Sequence, residues 1–336
     1  MIEIKDKKDC CGCTACMSIC PVKAITMKED EEGFLYPVVD TEKCVNCGLC
    51  EKTCPIINRK EKSEKQQKAY VINNKNEVIR SQSTSGGAFS PIAGYVIENK
   101  GVVFGAIIDE NMRVYHAYTE IKDGIQMFRG SKYVQSDLKN TFLEAKSFLD
   151  DGRMVCFSGT PCQIQGLKSF LGKEYENLIT VDVVCRAVPS PLVLRKYLEY
   201  QEQKNGIGNI KRVVFRDKSK YGYGYSSMLV EGENKIYREG IETDPYLRAF
   251  FNNYSDRPAC FDCKFRNKDR VSDFTIWDCY TIAEFDKNLS DNKGTTRMII
   301  QTAKGEKIFE QIKGKFNFKE IDINEAVKNV KELKES

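Results

Sequence analysis

The chain is 336 residues long, 41% hydrophobic and 30% charged, the balance of a folded globular protein and not of a disordered one. Its 52 basic and 48 acidic residues leave a formal charge of only +4, which gives no reason to expect nucleic acid as a partner. Fifteen cysteines against a single histidine make a His-rich zinc site or a Ser-His-Asp mechanism hard to assemble and point to thiol-based metal or redox chemistry.

The start, MIEIKDKKDCC, has no apolar leader core, and no run approaches the roughly 18 consecutive apolar residues of a membrane span. A cytoplasmic protein with reduced thiols is therefore expected. CCGCTACMSICP sets Cys10, Cys13, Cys16 and Cys20 at spacings of two, two and three residues before Pro21, and CVNCGLCEKTCP repeats the pattern with Cys44, Cys47, Cys50, Cys54 and Pro55. This is the bacterial two-cluster ferredoxin spacing, in which each fourth cysteine serves the other cluster. Cys10, Cys13, Cys16 and Cys54 are expected to hold one 4Fe-4S cluster, and Cys44, Cys47, Cys50 and Cys20 the second. The spacing also predicts that each fourth cysteine begins a helix crossing to the partner site. Small Gly12, Ala15 and Gly48 let backbone amides approach the sulfides. Zinc knuckles, the rival reading, come as two close pairs, not as four cysteines in eleven residues before a proline. Cys11 fits neither register and reads as a bystander. Two adjacent clusters imply one-electron relay.

RKEKSEKQQK (59–68) is basic and lacks apolar residues, which reads as a solvated linker, with a basic docking surface as the alternative. The domains expected are thus a ferredoxin module over 1–58, a linker over 59–68 and a larger domain over 69–336. In the latter, AYVINN is a strand, STSGGAFSPIAGYVIENKG a Gly-rich turn opening a helix, and VVFGAIID and VYHAYTE antiparallel strands. A helix over LKNTFLEAKSFLDDG precedes the buried strand MVCFSG, the turn and helix TPCQIQGLKSFLG and the buried strand LITVDVVC. A long helix starts at PSPLVLRKY. KRVVFRDK, SSMLVEG and KIYREG read as an extension of the same sheet; then come a helix over DPYLRAFFNN, a strand at DFTIWD, and a strand and helix over RMIIQTAKGEKIFEQI. Alternating strands and helices predict a mixed-sheet α/β domain, making the whole chain α+β in class.

In such sheets, ligands bind at strand C-terminal ends, beside helix N-termini. STSGGAF (83–89) and FSGTPCQ (157–163) fit that description, as phosphate cradles or as plain turns. Outside the ferredoxin module lie Cys156, Cys162, Cys185, Cys260, Cys263 and Cys279. Cys162 and Cys185 follow neighbouring strands and Cys260 and Cys263 form a C-x2-C pair, so these four are candidates for a third cluster, with buried free thiols as the alternative. Cys156 alternates into the strand core, and Cys279 also suits packing.

STSGGAFS, GSKYVQSDL, FSGTPCQIQGLKSFL, VPSP, RPACFDCKF and RVSDFTI together resemble the coenzyme F420 hydrogenase/dehydrogenase beta-subunit family, collinearly along nearly the whole chain. The resemblance implies FAD, and electron transfer between iron–sulfur clusters and the flavin to a two-electron organic partner. That partner is coenzyme F420 in better-known members; bacterial relatives of this short, ferredoxin-fused type often have no assigned substrate, and some occur beside polysaccharide-biosynthesis genes. It implies Cys162, Cys185, Cys260 and Cys263 as cluster ligands, and flavin contacts from Ser85, Gly86, Gly87, Lys132, Tyr133, Ser158, Gly159 and Thr160. Lys132 would stabilise negative charge on the flavin, against a plain surface role. Two segments depart from the family pattern: CRAVPSP places Arg186 where a histidine is usual, and WDCYT replaces GDFWG. Arg186 could still orient an anion. An oxidoreductase with a redox partner protein or ferredoxin and a small-molecule substrate is thus expected. The alternatives are an electron-carrier subunit that docks a partner enzyme without a substrate of its own, and a structural or sensory iron–sulfur protein.

Overall fold

The computed structural model describes residues 1–58, 67–225 and 227–334. Most of the expected linker lies outside the described residues, and Lys68 already belongs to a strand.

The N-terminal module is a pseudo-repeat. Helix α1 (Ala15–Ile19) and strand β1 (Ile25–Glu29) are followed by β2 (Leu35–Val39) and α2 (Leu49–Thr53), with β1 and β2 pairing antiparallel. Each cysteine loop turns through two left-handed residues at matching positions, Gly12 and Thr14 in the first and Asn46 and Gly48 in the second. That conformation is costly for an ordinary side chain and wraps the loop tightly about its centre. The helices lie between the third and fourth cysteines, so Cys20 and Cys54 end helices and do not begin them as the spacing suggested: proline next in sequence pushes the residue before it out of helical conformation.

The larger domain follows as β3 (Lys68–Asn74), α3 (Glu77–Gln82), α4 (Phe89–Glu98), β4 (Val102–Ile108), β5 (Val114–Thr119), α5 (Thr141–Asp150), β6 (Val155–Gly159), α6 (Pro161–Leu171) and β7 (Leu178–Val183). Next come α7 (Pro191–Asn205), β8 (Ile210–Asp217), β9 (Ser227–Gly232), β10 (Ile236–Glu239) and α8 (Pro245–Phe251). The chain closes with β11 (Phe274–Asp278), α9 (Ile282–Phe285), β12 (Thr296–Ile300), α10 (Ala303–Ile312), β13 (Phe316–Ile321) and α11 (Ile323–Val327). Eight strands form one mixed sheet in the order β13-β3-β12-β11-β7-β6-β4-β5. β4, β6, β7 and β11 run parallel at its centre, flanked by antiparallel neighbours. One face is covered by α4 and α10 over a core that includes Ile72, Ile92, Val103 and Phe309. The other is covered by α5, α6 and the first cysteine loop, around Phe104, Phe142, Phe157 and Ile164.

β8, β9 and β10 form a separate antiparallel sheet, not the extension of the main sheet expected from their sequences. Both edges of the large sheet are already taken by β5 and β13, and the three strands bury their apolar side against α7 and α8, around Leu194, Phe215 and Tyr246. Among the described residues no helix is long and apolar enough to cross a membrane.

Candidate functional site

The parallel strands put their C-terminal ends on one edge, and three groups of side chains gather there or beside it.

The first is the ferredoxin module. Cys20, Cys44, Cys47 and Cys50 line one hollow, the set expected for the second cluster. Cys10, Cys16 and Cys54 interact electrostatically with one another, and burial pushes the Cys16 thiol up to about 12. Amides of Ile2 and Ala24 donate to the sulfurs of Cys50 and Cys20 at 3.3 and 3.2 Å, as expected around a sulfur-ligated cluster.

The second group is a cysteine pocket between the module and the sheet. Thr160 caps α6 in a reciprocal capping box with Gln163, which fixes Cys162 in the first turn. Cys185 lies just past the end of β7, the neighbour of β6. The Pro189–Asp256 bridge and the bond from Arg257 N to Val188 O at 3.0 Å bring the Cys260–Cys263 turn alongside. Cys162, Cys185, Cys260 and Cys263 thus line one hollow. Among the described residues no three His, Cys, Asp or Glu side chains are placed to hold one metal ion; the thiols ring a space instead. Burial pushes the Cys185 thiol well up and Cys260 to about 12, so four thiolates persist there only against strong positive charge. Lys8, Arg186, Arg257, Lys264, Arg266 and Arg270 line the same hollow, and the buried Nε atoms of Arg186 and Arg266 have no hydrogen-bond partner. This donor set fits an anionic, thiolate-bound cluster.

Cys156 is fully buried in the sheet core and Cys279 in a smaller cluster, as expected of packing residues. Cys11, outside both registers, lines the cysteine pocket with Cys162 and packs against the core cluster that includes Cys13.

The third group is formed by the expected flavin loops, which the fold brings together. Asn74, ending β3, donates its amide to Gly86 O at 2.8 Å and its side-chain nitrogen to Gly87 O at 3.1 Å. A Cβ on Gly86 would stand 2.5 Å from Ile72 O, so only glycine fits there. Thr84 ties this loop to Ser131, and Ser85 donates to Asp278 at the end of β11. Asp278 also pairs with Arg216 at 3.0 Å, and Arg216 donates to the Tyr133 hydroxyl at 3.0 Å. Lys132 donates to Met127 O and Arg129 O, both at 3.1 Å, and burial lowers its ammonium to about 7.

Ser158, Gly159 and Thr160 join this group through His116. Its Nε2 lies 3.0 Å from Ser158 O and its Nδ1 3.0 Å from Ser136 Oγ, which accepts from Gln163 Nε2 at 3.1 Å. A carbonyl can only accept, so Nε2 carries the proton and Nδ1 accepts from Ser136. Burial holds the ring neutral, its pKa lowered to about 4. Arg186, expected near the cluster or the flavin, lies at the cysteine pocket, donating to Phe251 O at 2.8 Å.

Sequence reasoning missed two residues. His116 carried a signal, being the only histidine and on an inward position of its strand. Arg257, directly before the Cys260–Cys263 turn, is fully buried. It donates to Cys10 O at 2.7 Å, Gln135 Oε1 at 2.9 Å and Leu35 O at 3.1 Å, and lies 4.1 Å over the Tyr36 ring. Nothing local marked it, because its partners come from three distant segments.

Residues 9–57 match the 4Fe-4S dicluster domain, which together with the family match that follows makes this an iron–sulfur electron-transfer protein of the oxidoreductase type. Residues 152–325, just over half of the chain, match the family described as the C terminus of the coenzyme F420 hydrogenase/dehydrogenase beta subunit; the chain belongs to that family. Among solved structures it is similar to a chain of the F420-reducing NiFe hydrogenase complex from Methanosarcina barkeri, with 17% identity, a TM-score of 0.49, and 75% of this chain and 81% of that one covered. No curated protein matches it.

Proposed function

We propose that the protein is a three-cluster iron–sulfur flavoprotein that exchanges electrons between a protein redox partner and a two-electron organic substrate. The observation that carries this reading is the pocket of Cys162, Cys185, Cys260 and Cys263, lined also by Lys8, Cys11 and Ile56 of the dicluster module and adjoining the Ser158–Thr160 loop through Pro161. The two N-terminal cysteine sets each hold a 4Fe-4S cluster, over a domain spanning residues 1–58, and the pocket holds a third within the domain of 69–336. Bound FAD supplies the exchange between one-electron delivery and two-electron chemistry.

The chain's own residues do the rest. Gly86 and Gly87 keep the first loop flat against the sheet edge, and the capping box at the start of α6 holds the Ser158–Thr160 loop in place. Lys132, with an ammonium near 7, gains its proton as negative charge develops beside it, which suits it to steady that charge. Arg186, with Lys8 and Arg266, balances thiolate charge in the pocket, a cluster role and not a flavin role. A deazaflavin of the coenzyme F420 type is the first substrate to test.

Anaerobic purification with iron, flavin and acceptor assays tests the reading. About twelve irons per chain, four for each cysteine set, with bound FAD that bleaches on reduction and passes electrons to a deazaflavin or another organic acceptor, support it. About eight irons with no flavin overturns it, and flavin that is reduced but serves no organic acceptor favours the electron-carrier reading.

A further inference from the structure

Cys11 belongs to no cluster register, yet its thiol occupies the space between two of them. It lines the pocket together with Cys162, of the pocket set, and packs against the core cluster that holds Cys13, of the first N-terminal set. Around it the two halves of the chain approach closely. Gly166 of α6 lies so near the first loop that a Cβ there would stand 2.7 Å from Cys13 Cβ and 2.9 Å from its Sγ. The buried guanidinium of Arg257 lines the pocket and donates to the Cys10 carbonyl, so one positive charge adjoins both sets. Among the described residues it has no carboxylate partner. The second set reaches the surface: Cys47 is exposed, and Val45 near it is 61% exposed.

We propose that the Cys11 thiol is the contact through which electrons pass between the ferredoxin module and the cysteine pocket, so that the Cys10, Cys13, Cys16 and Cys54 set is the inner relay and the Cys20, Cys44, Cys47 and Cys50 set the outer one. The proposal rests on the three-cluster reading above. Each transfer moves one electron from the inner set to the pocket set, with no bond made or broken and no proton moved. Cys11 acts as a positioning residue: it fills a gap that would otherwise be through-space, while Arg257 lowers the cost of added negative charge on either side.

The test uses anaerobically isolated holoprotein, with reduced two-cluster ferredoxin as electron donor. The readouts are iron content, electron paramagnetic resonance of the fully reduced clusters, and the stopped-flow rate of flavin bleaching. Cys11→Ala is expected to keep full iron and unchanged resonance signals but to bleach severalfold more slowly; Cys11→Ser, which keeps a polar atom in the gap, recovers most of the rate. Bleaching at the unmodified rate in Cys11→Ala overturns the proposal. So does the loss of four irons from a folded variant, which would make Cys11 a ligand. Should Cys11→Ala fail to fold, Gly166→Ala decides: it leaves every cysteine in place and forces α6 off Cys13, so an unchanged rate there overturns the proposal and a slowed one supports it. An unmodified protein with eight irons and no flavin would instead sink the three-cluster reading itself, before any variant is made.

Discussion

His116 shows how much one buried side chain can decide. Its ring is 2% exposed, and both nitrogens are committed to Ser158 O and Ser136 Oγ in the tautomer with the proton on Nε2. Protonation would put a second N–H against a hydroxyl that already accepts from Gln163. The folded pKa is about 4 against an ordinary 6.5, so the unfolded chain binds the extra proton first as pH falls. Stability is therefore full above 6.5 and declines from there toward 4. Relative to a His116→Gln variant, the unmodified protein should lose about 2 kcal/mol of unfolding free energy between pH 7 and pH 5, read by denaturant titration at both values. A parallel pH response in the two proteins would place the effect elsewhere. The sequence marked this residue as the only histidine but not its duty, because the partners Ser136, Ser158 and Gln163 converge only once β5, β6 and α6 are packed.

At the scale of elements, the β6–α6 unit places two cysteines with opposite fates. Cys156 alternates inward from β6 and is fully buried; Cys162 stands at the capped start of α6, beside Thr160 Oγ1 at 3.1 Å. Cys156→Ala should leave iron and flavin content unchanged, at a packing cost of about 1 kcal/mol. Cys162→Ser should remove up to one cluster's iron and weaken flavin retention, since Ser158–Thr160 share its loop. Iron and flavin analysis of the two purified variants separates them, and full iron in Cys162→Ser would refute its ligand role. The difference was legible before folding, because strand alternation and a proline-started helix are local signals. The same local signals gave β3 to β7, α4 to α7 and the β11–β12–α10 run. They did not give the β1–β2 hairpin, β13, or the independence of the β8–β10 sheet. The hairpin is local, but Pro37 inside LYPVV masks its second strand; the other two are settled by which sheet edges are already occupied, a non-local matter.

For the molecule as a whole, Arg257 is the latch between the module and the main domain. Its donors satisfy two backbone carbonyls and Gln135, and its plane lies on Tyr36. Arg257→Met keeps the volume and leaves those acceptors buried without a donor, an expected cost on the order of 4 kcal/mol. The denaturant midpoint should fall, and the module should become open to limited proteolysis; an unchanged midpoint would show that other contacts hold the halves together. The overall class was readable from the alternation of strands and helices, and the two cysteine registers from spacing. The latch was not, since a lone Arg-Pro carries no mark of partners at residues 10, 35 and 135.

That latch also has a consequence in time. Cys10 and Arg257 lie 247 residues apart, and at synthesis rates of about 5–20 residues per second the second follows the first by roughly 10–50 s. For that interval the nascent module stands without its cover, its first cysteine loop facing a domain not yet made. Metal loading of that loop and closure of the main domain are then competing clocks, and the order in which they finish decides whether the inner cysteine set is filled in the open or sealed behind α6.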